Sequence, residues 1–158
     1  RKPHDGSAVE NLIVHGTGGL NIDACRIADA DNDNGSADKG RYAANVIGEL
    51  GDENAKFFFN PMNVISKRPS AADKDIYMDV GVKNNHPTPK PLQLMDWLVR
   101  LVTPKGGTIL DPFTGSGSTG LAALRERFNF VGAELNQNYH DIAVRRLTNC
   151  QAELAKAS

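Results

Sequence analysis

The sequence predicts an α/β fold in which part of a doubly wound parallel sheet follows an irregular region. Residues 84–158 alternate between helical and strand-like periodicity, whereas residues 1–83 combine many turn-forming residues with short apolar runs. The regular half also places a glycine-rich loop directly after its first strand. The order helix, strand, helix, strand, helix is typical of a parallel crossover, which is half of a doubly wound sheet.

The regular half begins with a helix after Pro91, because proline is tolerated in the first helical turn. A short buried strand is predicted over 108–110, a second helix over 120–128 and a second strand over 130–133. Asn136 is expected to cap the last helix. The apolar residues at helical spacing are Leu92, Met95, Leu98, Val99 and Val102 in the first helix and Tyr139, Ile142, Ala143, Leu147 and Cys150 in the last.

Residues 1–83 are predicted to be one region and residues 84–158 a second. In the first region, residues 29–40 are so rich in Asp, Asn, Ser and Gly that we expect an exposed loop. The start of this loop resembles a calcium-binding loop, but Asn34 and Gly40 stand where glycine and glutamate are needed, so no metal site is predicted. Short strands are predicted at 11–14, 44–47 and 57–59.

The composition is that of an intracellular globular domain. The chain has 158 residues, of which 40% are hydrophobic and 23% charged, and no apolar run is long enough to span a membrane. Cys25 and Cys150 lack metal or redox spacing and are predicted to be free thiols. A net charge of −1 gives no support to a nucleic-acid partner, so any DNA-binding surface must be a local patch. The candidates, which solvated surface charge explains equally, are Arg41, Lys67, Arg68 and Lys74.

The strongest local pattern is the glycine loop over 115–120, which fits G-x-G-x-x-G between a strand and a helix. Backbone N–H groups at such a helix start favour polar or anionic ligand groups. Glu134 follows Gly115 by 19 residues, at the end of the next strand, where a carboxylate can accept hydrogen bonds from ribose hydroxyls. This combination predicts a nucleoside cofactor. The alternative is a tight turn that only packs helix on strand.

Asp111, just before the loop, distinguishes between cofactors. A nicotinamide dinucleotide would bring its pyrophosphate close to this carboxylate, which is repulsive. S-adenosylmethionine has no phosphate, and its sulfonium and amino groups favour a nearby carboxylate. The sequence therefore favours S-adenosylmethionine, with a nicotinamide dehydrogenase fragment as the alternative.

Residues 111–119 resemble the cofactor-binding motif of the amino-group DNA methyltransferases, which modify adenine or cytosine. Residues 85–91 resemble the companion motif H-P-T-x-K-P, and residues 131–147 the next family segment. Residues 16–27 resemble a block of phage-type and bacterial members. The position of the cofactor motif near the C-terminus is similar to the beta-class order.

The resemblance implies a partial Rossmann-like methyltransferase sheet with an irregular target-recognition region in residues 1–83. It also implies methylation of an exocyclic base amine in double-stranded DNA, with adenine favoured, in a restriction–modification setting. The location would be the cytoplasm of a bacterial or phage-infected cell.

By position, the resemblance also implies residue roles. Thr88 and Lys90 would lie near the methionine end of the cofactor, and Asp111 would orient its amino group. Phe113 would line the pocket and Glu134 would hold the ribose. His86 would shape the loop. The residues that would wrap the cofactor by backbone contacts are Gly115, Ser116, Gly117, Ser118 and Thr119.

The family's catalytic motif, [DNS]-P-P-[YFW], is not found in this sequence. Asn60-Pro61-Met62-Asn63 shares only its first two letters. The chain is therefore predicted to be a C-terminal portion, inactive alone, that needs a missing N-terminal catalytic half or a homo-oligomer partner. The absence of that half would leave a sheet edge exposed. A non-catalytic cofactor- or DNA-binding fragment remains the alternative.

Overall fold

The computed structural model describes residues 6–16, 18–25 and 69–157, and the structural statements below refer to these ranges. The predicted loop at 29–40, the predicted strands at 44–47 and 57–59 and the segment 60–63 lie outside them. So do three of the four candidate DNA-contact residues, Arg41, Lys67 and Arg68.

The predicted order of helices and strands is confirmed in the C-terminal half. Strands β1 (Thr108–Asp111) and β2 (Asn129–Gly132) pair in parallel, with Thr108 opposite Asn129 and Asp111 opposite Gly132. A parallel pair needs a crossover connection, which helix α4 (Ser118–Arg125) provides. No helix among the described residues is long and apolar enough to cross a membrane. In chain order the elements are α1 (Ala8–His15), a 3₁₀ turn (Asp23–Cys25), α2 (Ala71–Asp75), α3 (Leu92–Val102), β1 (Thr108–Asp111), α4 (Ser118–Arg125), β2 (Asn129–Gly132) and α5 (Gln137–Lys156).

The strand predicted at 11–14 is wrong, because these residues belong to helix α1. Ser7 and Glu10 form a reciprocal capping box, in which the Ser7 N–H donates to Glu10 Oε2 at 2.6 Å and the Glu10 N–H donates to Ser7 Oγ at 3.2 Å. Gly16, with φ 65°, ends the helix. These capping signals determine the local structure of a short apolar run that periodicity alone assigns to a strand.

Helix α4 differs from its predicted limits at both ends. It begins at Ser118, directly after Gly117, whose φ of 85° is left-handed. It ends at Arg125, and Arg127 also has a left-handed φ, 62°. Because a right-handed helix cannot continue through such residues, these two positions limit α4.

Helix α4 lies at the centre of the packing, where it contacts both strands and the helices α3 and α5. Its residues Leu121, Ala122 and Ala123 are fully buried. The apolar core cluster consists of Leu92, Leu121 and Cys150, with Ile76, Tyr77, Leu124 and Leu147 packed against it.

The segment before α2 that the structure describes docks on α3. The Asn21 N–H donates to the Leu101 carbonyl at 2.8 Å, and Trp97 Nε1 donates to the Cys25 carbonyl at 3.2 Å. Cys25 and Cys150 are buried free thiols, as predicted. Burial raises the pKa of both thiols.

In the part of the chain that the structure describes, the two strands leave one face of the sheet uncovered. Phe130 faces α4, so its neighbour Val131 points to the opposite face. Val131 lies opposite Leu110 in the parallel register, and the two are 55% and 70% exposed. Within the described ranges no third strand pairs with β1 or β2. Parallel sheets are normally covered on both faces, and among the described residues no helix or strand forms a second layer over Leu110 and Val131.

Candidate functional site

The carboxyl ends of β1 and β2 remain side by side beyond the strands. The Ala133 N–H donates to the Asp111 carbonyl at 3.0 Å, and the Thr114 N–H donates back to the Ala133 carbonyl at 2.9 Å. The Thr114 hydroxyl also donates to the Asp111 carbonyl, at 2.9 Å. The segment that leads into the glycine loop is thereby held against the segment that leads to Glu134.

Glu134 connects the second strand to the glycine loop. The Gly115 N–H donates to Glu134 Oε2 at 2.8 Å, and the Asn136 N–H donates to Oε1 at 2.9 Å. The Asn136 N–H and then the Gly115 N–H lower the pKa of this carboxyl group, because both bonds favour its charged form. Each carboxylate oxygen has two acceptor sites, so the fixed anion can accept two further hydrogen bonds.

The three glycines of the loop are each required by conformation or by internal packing. Gly115 and Gly117 have left-handed φ angles of 55° and 85°, which favour glycine. A Cβ at Gly115 would lie 2.9 Å from Nε2 of His86, and a Cβ at Gly120 would lie 2.7 Å from the Phe130 ring. The loop therefore packs helix α4 on strand β2, as the tight-turn interpretation of the sequence predicts. It also lies beside the ionised carboxylate of Glu134.

His86 covers the loop from the segment before α3. The Thr88 N–H donates to His86 Nδ1 at 3.3 Å, and the ring meets Tyr139 edge-on with 4.5 Å between centroids. Burial lowers the pKa of His86, while the neighbouring Glu134 opposes this shift. A neutral ring that accepts at Nδ1 carries its proton on Nε2, the atom that faces Gly115.

A buried polar network behind the loop was not anticipated from the sequence. Arg146, which is 1% exposed, donates to the Ser116 carbonyl at 2.6 Å and to the Ile76 carbonyl at 3.1 Å. Asn84 Nδ2 donates to Ser116 Oγ at 3.1 Å. The sequence does contain a signal for the burial of Arg146, because this residue lies on the apolar face of α5, three residues after Ala143 and four before Cys150.

The structure brings some of the predicted site residues together. Asp111 ends β1, and its Oδ1 accepts the Phe113 N–H at 3.0 Å. Ser116 and Ser118 are buried, and Thr119 is in the first turn of α4, whose start has no side-chain cap.

Thr88 and Lys90 are exposed on the segment that follows His86. Phe113 is 87% exposed, and Lys74 is half-buried in α2.

A parallel crossover with a glycine loop after its first strand and a carboxylate at the end of its second defines a Rossmann-like α/β protein. Residues 27–145, most of the chain, match the family N6_N4_Mtase, described as DNA methylase. The chain belongs to this family of DNA methylases, whose members are enzymes.

Three similar proteins are bacterial methyltransferases. The Type II methyltransferase M.HindIII of Haemophilus influenzae is 40% identical over 88 residues, which are 56% of this chain and 26% of that protein. The Type II methyltransferase M2.DpnII of Streptococcus pneumoniae is 32% identical over 102 residues, 61% of this chain and 38% of that protein. The DNA adenine methyltransferase YhdJ of Escherichia coli is 40% identical over 63 residues, 40% of this chain and 21% of that protein. The chain thus spans less than half the length of these relatives.

Solved structures of similar proteins match over part of the chain. The complex of M1.HpyAVI with SAM is 42% identical, covers 41% of this chain and 32% of its own, and has a TM-score of 0.39. The putative DNA modification methylase TTHA0409 of Thermus thermophilus, complexed with S-adenosyl-L-methionine, is 28% identical and covers 65% of this chain and 38% of its own, with a TM-score of 0.35.

Proposed function

We propose that this chain is the S-adenosylmethionine-binding part of a site-specific DNA methyltransferase that methylates an exocyclic base amine. The observation that carries the proposal is the ionised Glu134, bonded to the Gly115 N–H where the two parallel strands end. Family membership supplies the class of reaction, and this arrangement supplies a place for the cofactor.

The residues present fit the cofactor. Glu134 keeps acceptor capacity for ribose hydroxyls, because the hydrogen bonds from the Gly115 and Asn136 N–H groups go to different carboxylate oxygens, each of which has two acceptor sites. Asp111, at the end of β1, offers a second carboxylate on the same side of the sheet for the cationic methionine end. Two carboxylates beside the loop disfavour a pyrophosphate and favour a sulfonium. When bound, the cofactor supplies the methyl group that is transferred to the base amine.

The remaining contacts follow from position in the chain. The backbone of residues 115–119 would wrap the cofactor, with Phe113 along the pocket. Thr88 and Lys90 would lie near the methionine end, on the segment that His86 holds against the loop. Among targets, adenine is favoured, because YhdJ, an adenine methyltransferase by name, is 40% identical over the matched part.

The partner that completes the enzyme is proposed to be an N-terminal catalytic half or a second copy of the chain. This proposal is supported by the exposed pair Leu110 and Val131, and by the outer sides of β1 and β2, which no other strand pairs with among the described residues. Residues 1–83 would recognise double-stranded DNA, with Lys74 among the basic contacts, in the cytoplasm of a bacterial or phage-infected cell. Residues 69–83 also contact the regular half, since the Lys74 and Ile76 carbonyls accept from Asn84 and Arg146.

The test is calorimetric titration of the chain with S-adenosylmethionine, with a nicotinamide dinucleotide as the control ligand. Glu134→Gln should weaken binding roughly tenfold to a hundredfold, because a carboxamide has one acceptor oxygen and no charge. Glu153→Gln, an exposed position near the end of α5, is the matched control and should bind like the wild type.

Each result of this titration has a distinct meaning. Unchanged affinity in Glu134→Gln would contradict the proposed site. Binding of the nicotinamide dinucleotide instead would support the dehydrogenase alternative. Binding of neither ligand by the wild type would overturn cofactor binding by this chain alone.

A further inference from the structure

We propose that Arg146 is a positioning residue whose buried guanidinium sets the conformation of the cofactor loop, together with Asn84, which bonds to the same loop residue. The inference rests on the proposed function of the loop. It concerns residues that contact neither the proposed ribose site at Glu134 nor the proposed methionine end, and that act through Ser116.

Arg146 joins three parts of the molecule. From α5, its Nη1 donates to the Ser116 carbonyl at 2.6 Å and approaches Ser116 Oγ at 3.4 Å. Its Nε donates to the Ile76 carbonyl, just after α2, at 3.1 Å. The planar guanidinium fork satisfies two carbonyls in fixed directions, which a lysine ammonium cannot reproduce.

Asn84 holds the same loop residue, Ser116, through its side-chain hydroxyl. Its Nδ2 donates to Ser116 Oγ at 3.1 Å and to the Lys74 carbonyl at 3.0 Å, and its Oδ1 accepts the His86 N–H at 3.0 Å. The Asn84 N–H donates to Asp75 Oδ1 at 2.8 Å. Together these four bonds fix the backbone and the side-chain amide of Asn84, so the position of Ser116 is determined by a rigid neighbour.

The peptide held by Arg146 controls the direction of the loop. The Ser116 carbonyl and the Gly117 N–H belong to one planar unit, and that N–H closes the turn on the Thr114 carbonyl at 2.9 Å. The preceding residue, Gly115, directs its N–H to Glu134. A change in the orientation of this peptide would therefore move both the start of α4 and the Gly115–Glu134 bond.

The charge of Arg146 strengthens this hold. Burial lowers the pKa of Arg146 to about 10, with Asp75 acting in the opposite direction, so the guanidinium is charged at neutral pH. Hydrogen bonds from a charged donor are about twice as strong as neutral ones. Ser116 is also buried, so losing the donor to its carbonyl would leave an unsatisfied acceptor.

The experiment compares Arg146→Lys with Asn149→Ala in the full chain. Asn149 lies three residues further along α5 and donates to the Tyr77 carbonyl and Asp79 Oδ1, each at 3.0 Å, so it supports the same neighbouring segment. We expect Arg146→Lys to weaken S-adenosylmethionine binding roughly tenfold or more, measured by calorimetry well below the unfolding temperature. Asn149→Ala should lower the unfolding temperature and leave the affinity unchanged.

Hydrogen exchange of the amides in residues 114–118 provides a second readout that needs no ligand. Exchange there should rise in Arg146→Lys and not in Asn149→Ala. If Arg146→Lys does not fold, Asn84→Ala replaces it, with an expected loss of affinity of roughly threefold to tenfold.

The outcomes separate this inference from the proposed function. If the wild type binds and Arg146→Lys binds equally well, the positioning role is refuted and the proposed function stands. If the wild type does not bind S-adenosylmethionine, the proposed function fails for this chain. Hydrogen exchange in Arg146→Lys and Asn149→Ala then still tests the positioning role of Arg146. Equal loop exchange in the two variants would then overturn it.

Discussion

Gly115 shows how many conditions a single residue of the site satisfies. Its φ is 55°, its N–H is bonded to Glu134 at 2.8 Å, and a side chain would start 2.9 Å from His86 Nε2. Only glycine meets all three without strain. At this scale the loop is shaped by its protein neighbours as much as by the requirements of a ligand.

His86 should make stability depend on pH in the weakly acidic range. Because burial holds the pKa of the folded ring below its ordinary value of 6.5, the unfolded chain binds a proton more readily. The stabilisation is therefore fully present above about pH 6.5 and is lost as pH falls through the folded-state pKa. Urea unfolding of the wild type and His86→Asn between about pH 7.5 and about pH 5.5 measures this effect, at most about 1.4 kcal/mol per unit of pKa shift. Equal slopes in the two proteins would contradict it.

Helix α4 and strand β2 approach closely because Gly120 has no side chain. A Cβ there would lie 2.7 Å from Phe130 Cε1 and 2.8 Å from Leu147 Cδ2. This contact sets the distance between the helix and the sheet, and thus the height of the loop above the carboxyl ends of the strands.

Gly120→Ala should destabilise the fold by about 1–3 kcal/mol, the usual cost of overpacking a core. The same substitution in a Phe130→Leu background should cost less, because the first contact is with the Phe130 ring. Denaturant unfolding of the wild type, the two single variants and the double variant measures the coupling free energy between the two positions. Additive changes in the free energy of unfolding would show that the new side chain at position 120 does not clash with Phe130.

At the scale of the whole molecule, the helices of the described part cover one face of the two-stranded sheet. Leu110 and Val131 are exposed on the other face, and Leu135 just beyond β2 is fully exposed. Parallel strands with an open face and unpaired sides are a template for association.

The uncovered face should make the isolated chain self-associate. Val131→Lys, on this face, should shift the chain towards monomer in sedimentation velocity, since a charge there blocks apolar contact. Val144→Lys is the matched control, because Val144 is similarly exposed, 49% against 55%, but lies on α5. A wild type that is already a stable monomer, or an equal effect of both substitutions, would argue against this face as the contact.

The sequence alone determined the order of elements from α3 to α5, the parallel crossover, the glycine loop and the carboxylate at the end of β2. These depend on local periodicity, on a capping Asn136 and on spacing along the chain, all of which are visible in one dimension. The helix at 8–15 is not predicted by its short apolar run, which fits a strand as well as a helix, and only the capping box of Ser7 and Glu10 distinguishes the two.

Which polar groups meet depends on how distant parts of the chain pack together. Arg146 is separated by 30 residues from Ser116 and by 70 from Ile76, and no periodicity connects such positions. A charged residue on an apolar face is ordinarily solvated, and its burial becomes acceptable only when folding brings carbonyl acceptors to it. The bond between Glu134 and Gly115 and the exposure of Leu110 and Val131 were decided in the same way, because each depends on which strands and helices pack together.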